Sequence, residues 1–185
     1  MSIEDKERWN EKYQTSFLPQ TVIEVVEQYA KEAKGTKALD LACGMGRNAK
    51  LLVEMGFKVD AVDISDVAIA TLEGIENINA QVADLETYEL KEDAYDLIVC
   101  TYYLERTLFP KIESALKKDG ILIVETFLHD KANTKEPSNR AFLLEKNELE
   151  KLLEPHYEIL YHQEFMAEVA CAKKCMKISM VSRKR

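Results

Sequence analysis

Apolar residues fall into short runs that alternate with amphipathic segments along most of the chain. The runs have the length of buried strands, and in several segments between them apolar residues recur three or four positions apart, the spacing of one helix face. Predicted strands cover residues 38–42, 57–62, 79–83, 95–101 and 121–127. Predicted helices cover residues 19–35, 66–72, 110–118 and 146–153, and a further one ends at Gly56. Strands that alternate with helices predict an α/β domain built on a largely parallel sheet.

The two ends of the chain depart from this alternation. Residues 2–14 predict a short polar helix in which Trp9 and Tyr13, four apart, share one face. Residues 157–165 and 175–182 alternate apolar with polar side chains, as strands with one buried face do.

Residues 129–139 form the least hydrophobic stretch of the chain. A long polar loop inside a compact domain is typical of a lid or a binding loop. Because it leaves the carboxyl end of the fifth predicted strand, we expect it to overhang an active site.

Size and charge narrow the class of protein. A chain of 185 residues suits one domain with a core large enough to be stable alone. The formal net charge of −8 disfavours nucleic acid as a partner, because binding a polyanion needs phosphate-neutralising Lys and Arg. The N-terminus is charged from the start, and no apolar run approaches the roughly twenty residues of a membrane span. We therefore expect a cytoplasmic monomer or homodimer with no membrane partner.

The four cysteines predict free thiols in a reducing compartment. Cys171 and Cys175 form the only close pair in the sequence, and no second Cys or His pair at a zinc-binding spacing accompanies them. We therefore expect no metal site.

The strongest functional pattern lies in residues 37–63. An apolar run enters a turn with Gly44 and Gly46, a helix follows, and a second apolar run ends at Asp63. This is half of a nucleotide-binding α/β unit. Glycine lets a ligand lie against the backbone where a Cβ would block it. A carboxylate at the tip of the second strand is placed to accept both hydroxyls of a ribose.

Two ligand classes use such a unit. Gly44, Gly46 and Ala49 satisfy the dinucleotide pattern G-x-G-x-x-G/A, so a small NAD-dependent oxidoreductase is one candidate. Asp40, inside the first strand, favours a different ligand. A carboxylate beside a pyrophosphate is repulsive, whereas near an α-ammonium and a sulfonium it is electrostatically favourable.

The stretch Asp40-Leu-Ala-Cys-Gly44-Met-Gly46 resembles motif I of the class I S-adenosylmethionine-dependent methyltransferases, D/E-x-G-x-G-x-G, with Ala42 in place of the first glycine. The longer string continuing to Arg47 and Asn48 resembles D-x-x-C-G-x-G-R-N, found in the small tellurite-resistance and thiopurine-type branch. The likeness extends over residues 9–165.

The resemblance implies an α/β, Rossmann-like, doubly wound seven-stranded sheet. This sheet would be mostly parallel with an antiparallel edge strand, where the two C-terminal runs pair as a hairpin. The implied single domain, 1–185, would comprise an N-terminal arm or lid (1–18), a cofactor-binding core (19–128), an active-site loop (129–140), and a C-terminal helix and edge hairpin (141–185).

The resemblance also implies S-adenosylmethionine as the cofactor. By this resemblance, Asp63 would accept the ribose hydroxyls and Asp84 the adenine amino group, and the backbone N–H of Leu85 would donate to a ring nitrogen. The arm that carries Trp9 and Tyr13 would cover the cofactor. The residues expected to bind the cofactor are Trp9, Tyr13, Asp40, Ala42, Gly44, Gly46, Arg47, Asn48, Asp63, Ile64, Asp84, Leu85 and Thr101. Those expected to contact the methyl acceptor are Tyr102, Tyr103, Arg106, His129 and Arg140.

The expected reaction is in-line methyl transfer to a small molecule, such as a thiol, a tellurite- or selenite-like oxyanion or another small nucleophile. The chain lacks the D/N-P-P-Y/F tetrad and the Pro-Cys pair with which related enzymes methylate nucleobases. No side chain stands out as a general base, which is needed only when the acceptor is protonated at working pH. The catalytic residue is therefore unassigned, and a non-catalytic S-adenosylmethionine-binding regulator is a third candidate.

Overall fold

The computed structural model describes residues 3–16, 19–137, 139–170 and 173–185. The helices are α1 (Ile3–Thr15), α2 (Glu24–Tyr29), α3 (Arg47–Glu54), α4 (Asp66–Ala70), α5 (Leu108–Ala115) and α6 (Glu148–Leu153). The strands are β1 (Lys37–Leu41), β2 (Lys58–Asp63), β3 (Ile78–Val82), β4 (Tyr95–Thr101), β5 (Leu116–Phe127), β6 (Tyr157–Ala170) and β7 (Lys173–Lys184). Short 3-10 turns occupy Ala30–Glu32 and Arg140–Phe142. Outside the described residues lie Cys171 of the close cysteine pair, parts of the predicted arm (1, 2, 17 and 18) and Ser138 of the predicted loop.

The strands form one seven-stranded sheet in the order β3-β2-β1-β4-β5-β7-β6. β1 to β5 run parallel, whereas β7 pairs antiparallel with both β5 and β6. The predicted doubly wound sheet with an antiparallel hairpin at one edge is confirmed. The strand order reverses between β1 and β4, and ligands of such sheets bind outside the carboxyl ends of the strands at this switch point.

Alternate residues of the central strands feed two separate cores. β4 contributes Ile98 and Cys100 to a buried cluster on one face and Leu97 and Val99 to a cluster on the other. This double burial explains why β4 reads as a nearly continuous apolar run. No helix within the described residues is both long and apolar enough to cross a membrane.

Two predicted helix boundaries are wrong. Residues 19–23 are not helical, and α2 begins only after Ile23. The predicted helix over 110–118 ends at Ala115, because Leu116 pairs with Tyr95 and opens β5 five residues before the predicted strand. Burial of Leu116 between neighbouring strands outweighs the helical spacing of the apolar residues before it.

One buried carboxylate on β2 joins that strand to three others, β1, β3 and β4. Asp60 accepts hydrogen bonds from the Tyr95 hydroxyl at 2.9 Å and the Asn79 amide at 2.9 Å, and it lies 2.8 Å from the Lys37 ammonium. Burial alone would raise the pKa of Asp60, but these partners outweigh burial and lower it. Hydrogen bonds to a charged group are among the stronger ones in proteins, so this cluster stabilises the register of β1, β2 and β4.

Tyr95→Phe should lower the free energy of unfolding by about 1–3 kcal/mol, because a buried carboxylate loses a hydrogen-bond donor while the ring stays packed. Urea denaturation monitored by circular dichroism measures the change. Tyr161→Phe is the matched control, since the Tyr161 hydroxyl bonds Gln163 at the surface and its loss should change stability little. Equal effects of the two substitutions would show that the Asp60 cluster does not stabilise the fold.

Candidate functional site

A cleft of about 870 Å³ opens at the carboxyl ends of the central strands. This volume is typical of small-molecule and cofactor sites. Its walls come from the arm helix α1, the segment before α2, the turn after β1, the ends of β2, β4 and β5, the loop after β5, and β7. The site therefore collects residues far apart in the chain at the switch point of the sheet.

The turn after β1 and the end of β2 are held together by Asp63. Its carboxylate accepts a hydrogen bond from the backbone N–H of Gly44 at 2.8 Å and another from that of Ser65 at 2.9 Å. Burial raises the pKa of Asp63, and these backbone donors oppose the rise. A carboxylate has about four lone-pair sites, so Asp63, which lines the cleft, keeps acceptor capacity for further hydroxyl groups.

The two glycines of the turn are required for different reasons. Both have left-handed backbone conformations, with φ of +55° at Gly44 and +74° at Gly46. A Cβ on Gly44 would lie 2.5 Å from the Tyr13 hydroxyl, on the cleft side of the turn. A Cβ on Gly46 would instead lie 2.4 Å from the Leu72 side chain. We expected both glycines to make room for a ligand, but in the structure protein side chains fill the space beside each, Tyr13 at Gly44 and Leu72 at Gly46.

Asp40 lies directly behind the turn and is almost completely buried. One carboxylate oxygen accepts the N–H of Ala49 at 3.1 Å, in the first turn of α3. The other oxygen has no hydrogen-bond partner among the described residues. Burial raises the pKa of Asp40 to about 7, against the opposing effects of the Ala49 N–H and Arg47. A buried carboxylate with a spare acceptor atom fits a cationic ligand on the other side of the turn.

The arm helix α1 closes one side of the cleft and is fastened to α4. Asn10 accepts a hydrogen bond from the Ser65 hydroxyl at 2.6 Å and donates one to Asp66 at 2.7 Å, and Lys6 lies 2.8 Å from Asp66. The rings of Trp9 and Tyr13 are 5.8 Å apart, and both line the cleft. Ser65 also bonds Asp63, so the arm and the carboxylate are positioned by one residue.

The opposite wall holds a hydrogen-bonded chain of Lys177, Tyr102 and Glu125. The Lys177 ammonium donates to the Tyr102 hydroxyl at 2.7 Å, and that hydroxyl donates to Glu125 at 2.6 Å. The second Glu125 oxygen accepts from the Ser179 hydroxyl at 2.5 Å. Tyr102 adopts a left-handed backbone with φ of +59°, a strained conformation for a bulky residue that is often found at functional sites.

Most of the residues expected at the site come together. Those that line the cleft are Trp9, Tyr13, Ala42, Gly44, Arg47, Asp63, Ile64, Thr101, Tyr102 and Tyr103. Asn48 supports the cleft from behind, because its amide donates to Thr101 at 3.1 Å. Asp84 and Leu85 follow β3 and do not line the cleft; the Asp84 carboxylate accepts the backbone N–H of Glu86.

Three of the five residues expected at the acceptor do not line this cleft. Arg106 bonds Glu148 and the carbonyls of Ala141 and Leu143, so its guanidinium fastens the 3-10 turn to α6. His129 lies 2.9 Å from Glu136, and Arg140 bonds Glu145 at 2.6 Å. Contacts within the chain thus occupy all three side chains.

Cysteines can act as nucleophiles, but Cys43 and Cys100 are unsuited to this role. Burial raises the pKa of Cys100 to about 12 and the pKa of Cys43 well above its ordinary value. Both thiols therefore stay protonated, and a thiol is a poor nucleophile compared with its thiolate.

Sequence reasoning missed several cleft residues, above all Lys12, Lys135 and Lys177. Lys12 stands one position before Tyr13, and its Nζ lies 4.2 Å from the Trp9 ring centroid. Lys135 belongs to the polar loop that we expected to overhang the site, so its place in that loop could have predicted its position in the cleft. Lys177 reaches the cleft because it pairs with Phe127 across the antiparallel β5–β7 ladder, and nothing in the sequence reports that register.

Replacing Asp40 by Asn should remove a pH dependence of stability. Between the ordinary carboxyl pKa of 3.8 and the value of about 7 in the folded state, the folded protein holds a proton that the unfolded chain releases. The contribution of Asp40 is therefore most favourable at low pH and declines as pH rises from 4 to 7. Urea denaturation between pH 5 and 8 should show Asp40→Asn gaining stability relative to wild type as pH rises. Glu76→Gln, which replaces an exposed acid, is the control and should show the same pH dependence of stability as wild type. The same pH dependence in Asp40→Asn as in wild type would contradict the prediction.

Comparison with known proteins supplies the family. The family model of the tellurite resistance protein TehB matches residues 1–179. A probable S-adenosyl-L-methionine-dependent methyltransferase TehB of Haemophilus influenzae is 30% identical over an alignment of 174 residues covering 87% of this chain. The chain spans 58% of the length of that relative.

Solved structures show the same fold. The crystal structure of TehB from Haemophilus influenzae superposes with a TM-score of 0.81 at 22% identity, over 96% of this chain and 67% of that one. A second similar structure is a 1,6-didemethyltoxoflavin-N1-methyltransferase of Burkholderia thailandensis, solved with bound 1,6-didemethyltoxoflavin and S-adenosylhomocysteine. It superposes with a TM-score of 0.73 at 18% identity, over 98% of this chain and 86% of that one. The match of the family model over nearly the whole chain assigns the protein: it belongs to the TehB family of tellurite resistance proteins.

Proposed function

We propose that this chain is an S-adenosylmethionine-dependent methyltransferase that acts on a small anionic acceptor. The observation that carries the proposal is the position of Asp63. This carboxylate stands at the tip of β2, lines the cleft, and is tied to the Gly44 turn while keeping lone pairs for a ligand. The names of the family's members and the fold of the solved relatives support the same activity.

The residues present fit the cofactor. Asp63 would accept the ribose hydroxyls, and the backbone at Gly44, which lines the cleft, would border the amino-acid tail. Asp40, with its unpartnered oxygen, would place negative charge behind the turn when it is ionised, and this charge would favour a ligand with an ammonium and a sulfonium. Trp9 and Tyr13 would cover the ligand from the arm and exclude water.

When bound, S-adenosylmethionine supplies a methyl group that its sulfonium already activates. The first task of the protein is then alignment of the acceptor, which contributes much of the rate of an in-line transfer. Tyr102 and Tyr103 line the cleft at the end of β4, where an acceptor would be held. The Tyr102 ring lies 5.3 Å from the ring of Phe127, which also lines the cleft on that side.

The same geometry disfavours the NAD-dependent alternative. A pyrophosphate of a dinucleotide binds the free N–H groups at the start of the helix after the glycine turn. Here the N–H of Ala49 already donates to the Asp40 carboxylate, and that buried carboxyl group repels a pyrophosphate when it is ionised.

The charges around the cleft support an anionic acceptor. On a chain with a net charge of −8, the cleft is lined by the cations Arg8, Lys12, Arg47, Lys135 and Lys177 and, among the described residues, by only two acids, Asp63 and Glu136. Burial and the positive charges of Arg8 and Lys135 lower the pKa of Lys12. Cations gathered against their mutual repulsion attract an anion into the cleft.

The setting of the enzyme stays as predicted from the sequence. We expect it in the cytoplasm, acting without nucleic acid or membrane, as a monomer or homodimer. The charge of the whole chain supports the exclusion of nucleic acid, since cations concentrated in one cleft do not offset an excess of eight negative charges.

Asp63→Ala should weaken the binding of S-adenosylhomocysteine at least about tenfold, because the ribose hydroxyls lose their acceptor. Isothermal titration calorimetry measures the affinity. Asp63→Asn, which keeps the size of the side chain and one acceptor oxygen, should lose part of the affinity while retaining the fold. Glu73→Ala, an exposed acid after α4, is the control. Unchanged affinity in both Asp63 variants would remove the ribose assignment.

The charge of the acceptor should decide its rate of methylation. Mercaptoacetate, 2-mercaptoethanol and cysteamine present one thiol with a negative, neutral or positive neighbour. We expect kcat/KM to fall in that order, measured as formation of S-adenosylhomocysteine, with tellurite and selenite tested beside them. Lys12→Met and Lys135→Met should raise KM for mercaptoacetate several-fold and leave the KM of the cofactor unchanged.

Lys131→Met is the matched control, because Lys131 lies in the same loop and does not line the cleft. A rate independent of acceptor charge would contradict the anionic acceptor. Tight binding of S-adenosylhomocysteine with no turnover of any of the five compounds would favour the non-catalytic regulator instead.

A further inference from the structure

The sequence offers no obvious general base, but the structure brings an amine to the place where one is needed. Lys177 lies on β7, opposite Phe127 in the ladder with β5, and its side chain lines the cleft beside Tyr102. Its Nζ is 2.7 Å from the Tyr102 hydroxyl and 4.5 Å from the Tyr102 ring centroid. The amine is thus held at the wall where we place the acceptor, rather than extended into solvent.

Two neighbours fix the orientation of Lys177. Glu125 accepts the Tyr102 hydroxyl with one oxygen and the Ser179 hydroxyl with the other, so its carboxylate is immobilised. The Tyr102 hydroxyl, which donates to Glu125, uses its oxygen to accept from Lys177. Lys177 uses one N–H in its hydrogen bond to Tyr102. Its other N–H groups and, in the neutral amine, its lone pair can interact with a molecule in the cleft.

The surroundings of Lys177 make the neutral amine accessible. Burial lowers its pKa, the Glu125 carboxylate opposes this change, and the Arg47 guanidinium adds to it. The Cys175 thiol, two residues away on β7, is the remaining titratable group that acts on Lys177, and it raises the pKa slightly when ionised. Burial raises the pKa of Cys175, so that thiol stays neutral. Lysines are known to serve as general bases in such desolvated sites.

Other candidates along the described part of the cleft are less suited to take a proton. The Tyr102 hydroxyl is bound to Glu125, and burial beside that carboxylate raises its pKa. Asp63 accepts two backbone N–H groups and is reserved for the ribose. His129 pairs with Glu136 and does not line the cleft.

We propose that Lys177 is the general base of methyl transfer and removes the proton from the nucleophilic atom of the acceptor. This inference rests on the proposed methyltransferase function. The neutral Lys177 amine takes the proton of an acceptor X–H as the X–C bond forms to the methyl group of S-adenosylmethionine. The C–S bond breaks and its electron pair stays on sulfur, which becomes the neutral thioether of S-adenosylhomocysteine. Lys177 is left as an ammonium and releases the proton to water before the next turnover.

Lys177→Arg and Lys177→Met separate basicity from charge, because Arg keeps a cation that does not deprotonate and Met keeps neither. With mercaptoacetate as the acceptor, both variants should lose about 100-fold in kcat. Their affinity for S-adenosylhomocysteine should stay within about twofold of wild type. Wild-type kcat should rise with pH to a plateau that both variants lack. Lys173→Met, an exposed lysine on the same strand, is the control.

A second measurement needs no turnover. Acetic anhydride labelling between pH 6 and 11, followed residue by residue by mass spectrometry, should give Lys177 a reactivity midpoint below that of Lys173, because burial lowers the pKa of Lys177. A midpoint equal to that of Lys173 overturns the proposal, whether or not an acceptor is found. Near-wild-type kcat in Lys177→Arg also overturns it, because charge alone would then suffice.

Failure of the proposed methyltransferase function can be distinguished from failure of the Lys177 assignment. If wild type does not bind S-adenosylhomocysteine, the proposed function fails and this inference fails with it. If wild type binds it and methylates mercaptoacetate while both Lys177 variants do so equally well, the function stands and the assignment of Lys177 is wrong.

Discussion

The carboxylate of Asp63 is the interaction on which the site depends. It joins the turn after β1 to the end of β2 through the N–H of Gly44, and it holds the start of the next segment through the N–H of Ser65. Apart from their first residues, Lys37 and Lys58, both strands are buried, and because they pair in parallel their carboxyl ends lie side by side at one edge of the sheet. A side chain in that position fixes the shape of the turn and remains available to a ligand.

The arm is coupled to the same residue pair. Ser65 donates its backbone N–H to the Asp63 carboxylate, while its hydroxyl donates to Asn10 and accepts the N–H of Ala68 at the start of α4. Closure of α1 over the cleft and the position of the Asp63 carboxylate are therefore parts of one network. A capping serine two residues after Asp63 therefore helps to position the arm that lines one side of the cleft.

Much of the sheet was predictable because its strands are buried on both faces and read as apolar runs. The apolar runs predicted β1, β2 and β4 to within a residue at each end, and Asp40, Gly44 and Asp63 mark their carboxyl ends. The start of β5 was not predictable, since Leu116 follows a helical spacing and only its pairing with Tyr95 makes it a strand residue. Residues 19–23 resemble the start of a helix and instead form part of the cleft wall.

The residues that we assign to the cofactor follow from local sequence, whereas those that we assign to the acceptor depend on long-range pairing. Gly44, Arg47 and Asp63 lie within twenty residues of one another, so a motif describes them. Lys177 and Tyr102 are 75 residues apart and meet because β7 pairs antiparallel with β5 in a register that the sequence does not record. For Arg106 the sequence led to a wrong prediction. Its position after a strand end suggested a cation for the acceptor, but its guanidinium is hydrogen-bonded to Glu148 and two backbone carbonyls.

The most direct test of this account is a crystal structure of the protein with S-adenosylhomocysteine. The account predicts both ribose hydroxyls within hydrogen-bonding distance of the Asp63 carboxylate, at about 2.5–3.0 Å, and the amino-acid tail against the backbone at Gly44. Adenosine bound away from Asp63, or a dinucleotide binding with its pyrophosphate across residues 44–46, would contradict it.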